Sequence, residues 1–260
     1  MRVVFLGFLL VLVMMPGLSP AGTIKGRLLR IAYVEFPPLS YRDEYGKAAG
    51  TMVDITRKVA EEAAYEVEFV YLPISRVYLY LRNGKVDLWM GMTNIPSLSM
   101  EVLESWVSPL PVRLSAWYLD GSPPVDHLDR LRNTTVILHA GYTYGDFRKW
   151  LESQSDIRVL DAPNHRAAID MLERGRGDYV LDYHQPVREV LTEPDDDRVH
   201  ESRIRSRNTA WLFSLARPDA ALVRDDFDNA YIELAARGAV PPLRSFGRNR
   251  VVPGFPEGLQ

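Results

Sequence analysis

The 260-residue sequence contains no cysteine. This absence excludes a disulfide framework, a thiolate metal site, a cysteine nucleophile and a lipid-modified cysteine as membrane anchor. The folded chain must therefore be stabilised by the packing of its own core. Its length is sufficient for that, either as one large domain or as two smaller lobes.

Excess positive charge and long apolar runs are also missing. The chain has 34 acidic and 31 basic residues, a net charge of −3, which argues against nucleic-acid binding because that requires a basic surface. Beyond the N-terminus, no apolar run approaches the ~18–20 residues that cross a bilayer. A hydrophobic content of 47% with 25% charged residues indicates a globular protein instead.

The first 21 residues have the layout of a secretory signal peptide. Arg2 precedes an apolar run over residues 3–15, and small residues lead to a predicted cleavage site after Ala21. An anchored N-terminal helix is the alternative. We expect cleavage, and with it a mature protein that is soluble in the periplasm, monomeric and not membrane-anchored.

The rest of the chain alternates between strand and helix patterns, which predicts parallel sheets with helices on both faces. Asp54, Ser75 and Asn164 are the predicted N-caps of three helices. Two further helices are predicted over 142–153 and 220–236. The predicted strands cover residues 29–34, 67–71, 86–92, 135–139, 158–160, 178–181 and 210–216.

A short internal match indicates two related halves. The motif L-x-x-G-x-x-D occurs at residues 81–87 and again at 172–178, each time between a predicted helix and a buried strand. Residues 120–124, DGSPP, form a boundary-like stretch between the halves. Ligands of such sheets bind beyond the carboxyl ends of the strands, so we expect a site in the loops that come directly after the predicted strands.

Several segments together resemble solute-binding protein family 3, the extracytoplasmic binding proteins of amino-acid ABC importers. They are LRIAYVEFPPLSY, LRNGKVDLWMGMTNIP, VILHAGYTYGDFRKWL, MLERGRGDYVLDY and WLFSLARPDAALVRDDFDNAYIELAARGAV, in this order along the chain. The resemblance implies an α/β protein of the type II periplasmic binding protein fold. Each of its two lobes would be a mostly parallel sheet flanked by helices.

The same resemblance implies the lobe boundaries. Lobe one would comprise residues 22–117 and 212–260, and lobe two residues 118–211. Two crossing strands, near 114–119 and 210–215, would join the lobes, with the ligand in the cleft between them.

Five side chains are candidate ligand contacts. The family pattern implies Phe36, Tyr142 and Thr143, and a place at the carboxyl end of a predicted strand suggests Thr93 and Asn94. Phe36 falls where the family places an aromatic ring, and Gly141-Tyr142-Thr143 resembles its Gly-Thr-Thr loop before a helix. Thr93 and Asn94 offer a hydroxyl and an amide after a buried strand. Ordinary structural roles in a core, a turn or a helix cap are the alternatives.

Two positions depart from the family pattern. The arginine that clamps the ligand carboxylate would fall on Leu98 or Ser99, neither of which replaces a guanidinium. Arg76 or Arg113 is a possible substitute, although a surface position is the alternative for each.

The acid that meets the ligand's ammonium group aligns with Tyr183, and Asp182 serves only if its loop turns inward. We therefore hypothesise a ligand other than a standard small α-amino acid, with a flatter, cyclic or cationic shape suited to aromatic walls. The aromatic residues expected near the cleft loops are Tyr33, Phe36, Tyr142, Tyr144 and Tyr183.

The predicted function is capture of a small polar ligand, an amino acid or a related compound, for an ABC permease. No cofactor, metal or catalytic residue is predicted, because the sequence lacks nucleotide-loop, triad and metal-ligand motifs. An exported dehydratase-like enzyme is one alternative, with Glu35, Asp182 and His184 as an acid–base set. A ligand-sensing subunit of a membrane receptor is the other.

Overall fold

A computed structural model of the chain describes residues 27–192, 197–243 and 250–259. The predicted signal peptide lies outside these residues. Within them the protein is a mixed α/β structure with a nine-stranded sheet, a two-stranded ribbon and six α-helices. No helix in this part of the chain combines the length and apolarity that spanning a membrane requires.

Eleven strands are present in the described residues. They are β1 (Arg27–Tyr33), β2 (Tyr41–Arg42), β3 (Ala48–Ala49), β4 (Tyr65–Tyr71), β5 (Leu88–Met92), β6 (Val102–Glu104), β7 (Pro111–Leu119), β8 (Thr134–His139), β9 (Ile157–Ala162), β10 (Tyr179–Tyr183) and β11 (Val199–Ser214). The α-helices are α1 (Thr51–Glu62), α2 (Ile74–Arg82), α3 (Phe147–Ser153), α4 (His165–Glu173), α5 (His184–Val190) and α6 (Ala220–Ala236).

The two halves of the chain repeat one topology. The first half places its parallel strands in the order β4-β1-β5, and the second half uses the corresponding order β9-β8-β10. An antiparallel strand then closes each set, β11 beside β5 and β7 beside β10. The internal sequence match therefore reflects two structurally equivalent halves.

The aspartates of the repeated motif make equivalent hydrogen bonds in the two halves. Asp87 exchanges two hydrogen bonds with the backbone of Arg30, one from its own amide and one to its carboxylate, both 2.8 Å. Asp178 makes the equivalent pair with Thr135, at 2.8 and 2.7 Å. Each aspartate thus ties the loop after a helix to the neighbouring parallel strand.

Strands β7 and β11 connect the halves. Strand β11 is 16 residues long and pairs with β7 through residues 199–208, then with β5 through residues 209–213. It begins at Val199, well before the predicted residue 210. The prediction missed the first part of the strand because that part is rich in polar residues and shows no apolar pattern. Residues 203–205 contain a bulge that shifts the register with β7.

Several predicted helix boundaries are wrong. Helix α1 begins at Thr51, so Asp54 lies in its first turn, and Pro73 rather than Ser75 precedes α2. Helix α3 begins at Phe147 instead of 142, because residues 144–146 all have positive φ angles and cannot continue a right-handed helix.

Two helix predictions are confirmed. The Asn164 side chain caps α4 by accepting a 2.8 Å hydrogen bond from the amide of Ala167. Helix α6 has the predicted bounds, Ala220–Ala236.

The C-terminal residues 250–259 pack on the second half. The amide of Val252 donates to the carbonyl of Ile204, and the amide of Leu128 donates to the carbonyl of Pro253, both at 2.8 Å. The Phe255 ring lies 4.7 Å from that of Phe147. The tail, which the sequence analysis assigns to lobe one, therefore contacts residues assigned to lobe two.

Candidate functional site

A small cavity of about 40 Å³ lies where the two halves meet. It is lined almost entirely by apolar and aromatic side chains, and no charged side chain is among them. The first half contributes Val34, Phe36, Ile74, Tyr78, Trp89, Met92 and Ile95, and the second half contributes Tyr142, Thr143, Tyr144, Gly145 and Tyr183.

Phe36 is positioned at the cavity by a tight loop after β1. Its amide donates to the carbonyl of Ser40 at 2.7 Å, and the Ser40 hydroxyl donates back to the carbonyl of Val34 at 2.9 Å. The Phe36 ring meets Tyr183 edge-on at 5.0 Å and stacks on Tyr142 at 6.4 Å. One aromatic ring of the first half thus contacts two of the second.

Two hydroxyl hydrogen bonds join the halves beside the cavity. The Tyr142 hydroxyl donates to the carbonyl of Glu35 at 2.5 Å. The hydroxyls of Tyr78 and Thr143 lie 3.1 Å apart. Burial raises the pKa of Tyr142, Tyr144 and Tyr183, so these phenols are neutral hydrogen-bonding groups rather than bases.

Two arginines of β11, Arg205 and Arg207, are buried beside this site. Arg207 donates to the carbonyls of Thr93 and Asn94, while its Nε and Nη1 atoms have no partner. In Arg205 the Nε and Nη1 atoms are also unpartnered, and its guanidinium lies 5.3 Å from the centre of the Phe255 ring. Burial, and secondarily the charge of Arg207, lowers the pKa of Arg205 to about 10.

Gly145 makes room for Arg207. Its φ is +62°, and a Cβ at this position would overlap the Nη1 atom of Arg207. We expect Gly145→Ala to lower the free energy of unfolding by about 2–3 kcal/mol, since strained backbone and a displaced buried guanidinium add together.

Gly141→Ala is the matched control for Gly145→Ala. Gly141 also has a positive φ, +79°, but nothing lies within 4 Å of the position its Cβ would take. In Gly141→Ala the free energy of unfolding should fall only by the cost of the strained backbone, about 1–2 kcal/mol. Equal losses in chemical denaturation of both variants would show that Arg207 does not press on Gly145.

Asp182 does not line the cavity. It is fully buried, and its carboxylate is bonded to His165 Nδ1 at 2.6 Å and to the amide of Tyr183 at 2.8 Å. Because neighbouring residues of a strand point to opposite faces, Tyr183 faces the cavity and Asp182 faces α4. In this structure the loop does not turn Asp182 inward.

A histidine lies under Tyr142 and gives the fold a pH dependence. The His139 ring stacks on Tyr142 at 4.1 Å and lies 4.6 Å from His165. Burial, and then the neighbouring His165, lower the pKa of His139 below its usual 6.5. The unfolded chain therefore takes up this proton at a higher pH than the folded chain.

It follows that the free energy of unfolding decreases because of His139 as the pH falls. The decrease begins near pH 6.5, the pKa in the unfolded chain, and ends below the lower pKa of the folded chain. In urea unfolding between pH 8 and 5, the wild type should lose more stability than His139→Asn, which has no proton to gain. If the free energy of unfolding falls equally with pH in both proteins, this effect of His139 is contradicted.

The structure separates the predicted site residues into three groups. Phe36, Tyr142, Thr143 and Tyr183 line the cavity. Thr93 and Asn94 are not in the lining; they follow Met92 of the cavity wall in the chain, and their carbonyls accept from Arg207. Arg76 is exposed on α2 and, like Asp182, is not in the lining.

The remaining polar candidates are engaged elsewhere. Arg113 pairs with Glu201 at 3.0 Å and also contacts His184, so it is not free to act as a substitute clamp. His184 is held by Glu201, while Glu35 lies 3.9 Å from Arg42. With Asp182 bonded to His165, each member of the proposed acid–base set has its own separate partner.

The sequence analysis missed four side chains at this site: Tyr78, Trp89, Arg205 and Arg207. The Nε1 atom of Trp89 is buried without a hydrogen-bond partner, and its ring lies 5.8 Å from that of Tyr78. The available signal for the arginines was their spacing of two residues, which places both on one face of a strand.

Comparisons with known proteins agree with this architecture. Residues 29–103 match the family described as bacterial extracellular solute-binding proteins, family 3. The amino-acid-binding protein AabA of Dichelobacter nodosus is 21% identical over 219 residues, covering 81% of this chain and 83% of AabA. The resemblance to family 3 is thereby confirmed.

Solved structures show the same fold. A histidine kinase sensor domain with similarity to periplasmic binding proteins has a TM-score of 0.70 at 22% identity, covering 82% of this chain and 92% of that one. An ancestral arginine-binding protein bound to arginine has a TM-score of 0.67 at 20% identity, covering 83% and 95%. The predicted two-lobed α/β fold of the periplasmic binding protein type is confirmed.

Proposed function

We propose that this chain, a relative of the family 3 extracellular solute-binding proteins, captures a small organic ligand between its halves and delivers it to an ABC importer. The ligand is an amino acid or a related compound. The observation that carries the proposal is the cavity itself, which both halves line and which two hydroxyl hydrogen bonds border.

The lobe division supports a capture mechanism. We infer lobe one at residues 22–117 and 212–260 and lobe two at 118–211, except that the tail 250–259 moves with lobe two because it packs there. Strands β7 and β11 then cross between the lobes and form the hinge. Rotation about these strands would open the cavity, and rebinding of Tyr142 to the carbonyl of Glu35 would close it over a ligand. Export to the periplasm and a monomeric state fit this role.

A thermal-shift screen against amino acids, amines, organic acids and sugars tests the function. A true ligand at about a hundredfold excess over its Kd should add ~2.7 kcal/mol to the free energy of unfolding. The tryptophan fluorescence of the protein should change with the same compound, because Trp89, one of its five tryptophans, lines the cavity. A screen in which no compound stabilises the protein would contradict the proposal.

The same screen separates binding from catalysis and from sensing. A hit that is recovered unchanged after prolonged incubation supports a binding protein, whereas conversion to a product would favour the dehydratase-like alternative. Uptake of the hit by vesicles carrying the cognate permease would support transport. Stimulation of a membrane receptor without uptake would favour the sensing subunit.

The interlobe hydrogen bond of Tyr142 gives a specific prediction. Tyr142→Phe keeps the ring but removes the bond to Glu35, so the closed form loses about 0.5–1.5 kcal/mol and ligand affinity falls about 3- to 10-fold. The effect should appear as faster dissociation in stopped-flow fluorescence. Tyr45→Phe, at a side chain 78% exposed, is the control and should leave the rate unchanged. Equal rates for Tyr142→Phe and wild type would contradict the proposed closure.

A further inference from the structure

Two buried guanidiniums near the cavity leave hydrogen-bond donors without a partner. Arg205 is 1% exposed and Arg207 4% exposed, and neither forms an ion pair with any acid in the described residues. Together they leave four unpartnered donor nitrogens, two on each guanidinium. A buried guanidinium without a partner is costly, and an anion is what would satisfy it.

The arginines lie behind the cavity wall, next to residues that line it. Arg207 packs against Gly145, which lines the cavity, and bonds the carbonyls of Thr93 and Asn94. Those carbonyls lie in the chain between Met92 and Ile95, which also belong to the lining. The positive charges of both guanidiniums oppose the rise that burial causes in the pKa of Tyr183, a residue of the cavity wall.

The acidic side chains near the cavity form no ion pair with either arginine, and Glu104 and Asp146 act on the charge of Arg207 only from a longer distance. Asp146 binds Lys149 at 3.0 Å, and Glu104 accepts from the amide of Asn94 at 2.7 Å. Glu35 lies 3.9 Å from Arg42, with its Oε2 atom buried and without a hydrogen-bond partner, and Asp182 is bonded to His165. No carboxylate belongs to the described residues that line the cavity, so an ammonium group would find no counter-charge there.

Resting on the proposed function, we propose that the ligand is a small amine-free carboxylate with a flat apolar body. Its carboxylate binds the guanidinium of Arg207, with Arg205 adding positive potential behind it. Its body lies among the aromatic rings of Phe36, Tyr142 and Tyr183. The indole N–H of Trp89 is a further donor without a partner, which again favours an acceptor-rich ligand.

Three compounds that share a phenylethyl group isolate the charged groups in calorimetric titration. 3-Phenylpropionate carries only a carboxylate, 2-phenylethylamine carries only an ammonium group, and L-phenylalanine carries both. We expect 3-phenylpropionate to bind at least about 10-fold more tightly than phenylalanine, because the ammonium is desolvated without a partner. 2-Phenylethylamine should not bind.

Equal or tighter binding of phenylalanine would overturn the inference and leave the proposed function intact. Benzoate and indole-3-acetate extend the test to shorter and larger bodies. If no carboxylate of this set binds, the inference is also overturned. The proposed function then depends on whether any other compound of the wider screen binds.

Arginine variants assign the binding group. Arg207→Gln should weaken carboxylate binding by about 30- to 100-fold, as expected for a lost charge-assisted hydrogen bond, and Arg207→Lys by less. Arg203→Gln is the matched control, since Arg203 lies on the same strand but is exposed. Retention of affinity in a folded Arg207→Gln protein would overturn the assignment.

Discussion

Asp182→Ala should lower the free energy of unfolding by about 2–4 kcal/mol while leaving ligand affinity unchanged. The carboxylate is fully buried and bonded to His165 and to the amide of Tyr183, so its removal leaves two buried donors without an acceptor. Urea unfolding and calorimetric titration of the same variant measure the two quantities.

Asp161→Ala is the control for the loss of a carboxylate. Asp161 is 52% exposed and pairs with Arg148 on the surface, so its removal should cost no more than about 1 kcal/mol. If Asp182→Ala instead unfolds like wild type but loses its ligand, Asp182 is the ammonium-binding acid of the family pattern. That outcome would contradict its structural role.

Arg205→Met should raise the free energy of unfolding by about 1–3 kcal/mol. The substitution keeps an unbranched side chain of similar length against the Phe255 ring and removes a buried charge whose Nε and Nη1 atoms have no partner. A gain in stability from deleting a buried polar group is uncommon, because most such groups are paired.

The same variant separates a structural arginine from a binding one. A drop in stability for Arg205→Met would mean that the guanidinium stabilises the fold through contacts of its own. A gain in stability together with weaker carboxylate binding would mark it as a group held for the ligand. Arg203→Met, at an exposed position of the same strand, should change neither quantity.

Much of the fold follows from local sequence patterns. The apolar runs of β5 and β10, the Asn164 cap and the periodicity of α6 each act within a few residues, so they are visible without tertiary information. The repeated L-x-x-G-x-x-D motif likewise indicated two equivalent halves, because its aspartate makes the same local bonds in both.

The site was less predictable, since it depends on orientation and on long-range burial. Every residue of β10 is buried, so no polar face shows whether Asp182 or Tyr183 points to the cavity. The first part of β11 is polar because it carries Arg205 and Arg207, and this concealed the strand. The burial of both arginines depends on tertiary packing, because the C-terminal tail covers Arg205 and Gly145 lies against Arg207.

The crystal structure of the protein with the tightest-binding compound of the thermal-shift screen tests most directly whether the interlobe cavity is the binding site. The expected result is ligand density between the halves, in contact with Phe36 and Tyr183 and with its negatively charged group on Arg207. Density at any other place, with the cavity filled only by its own side chains, would contradict the proposed site.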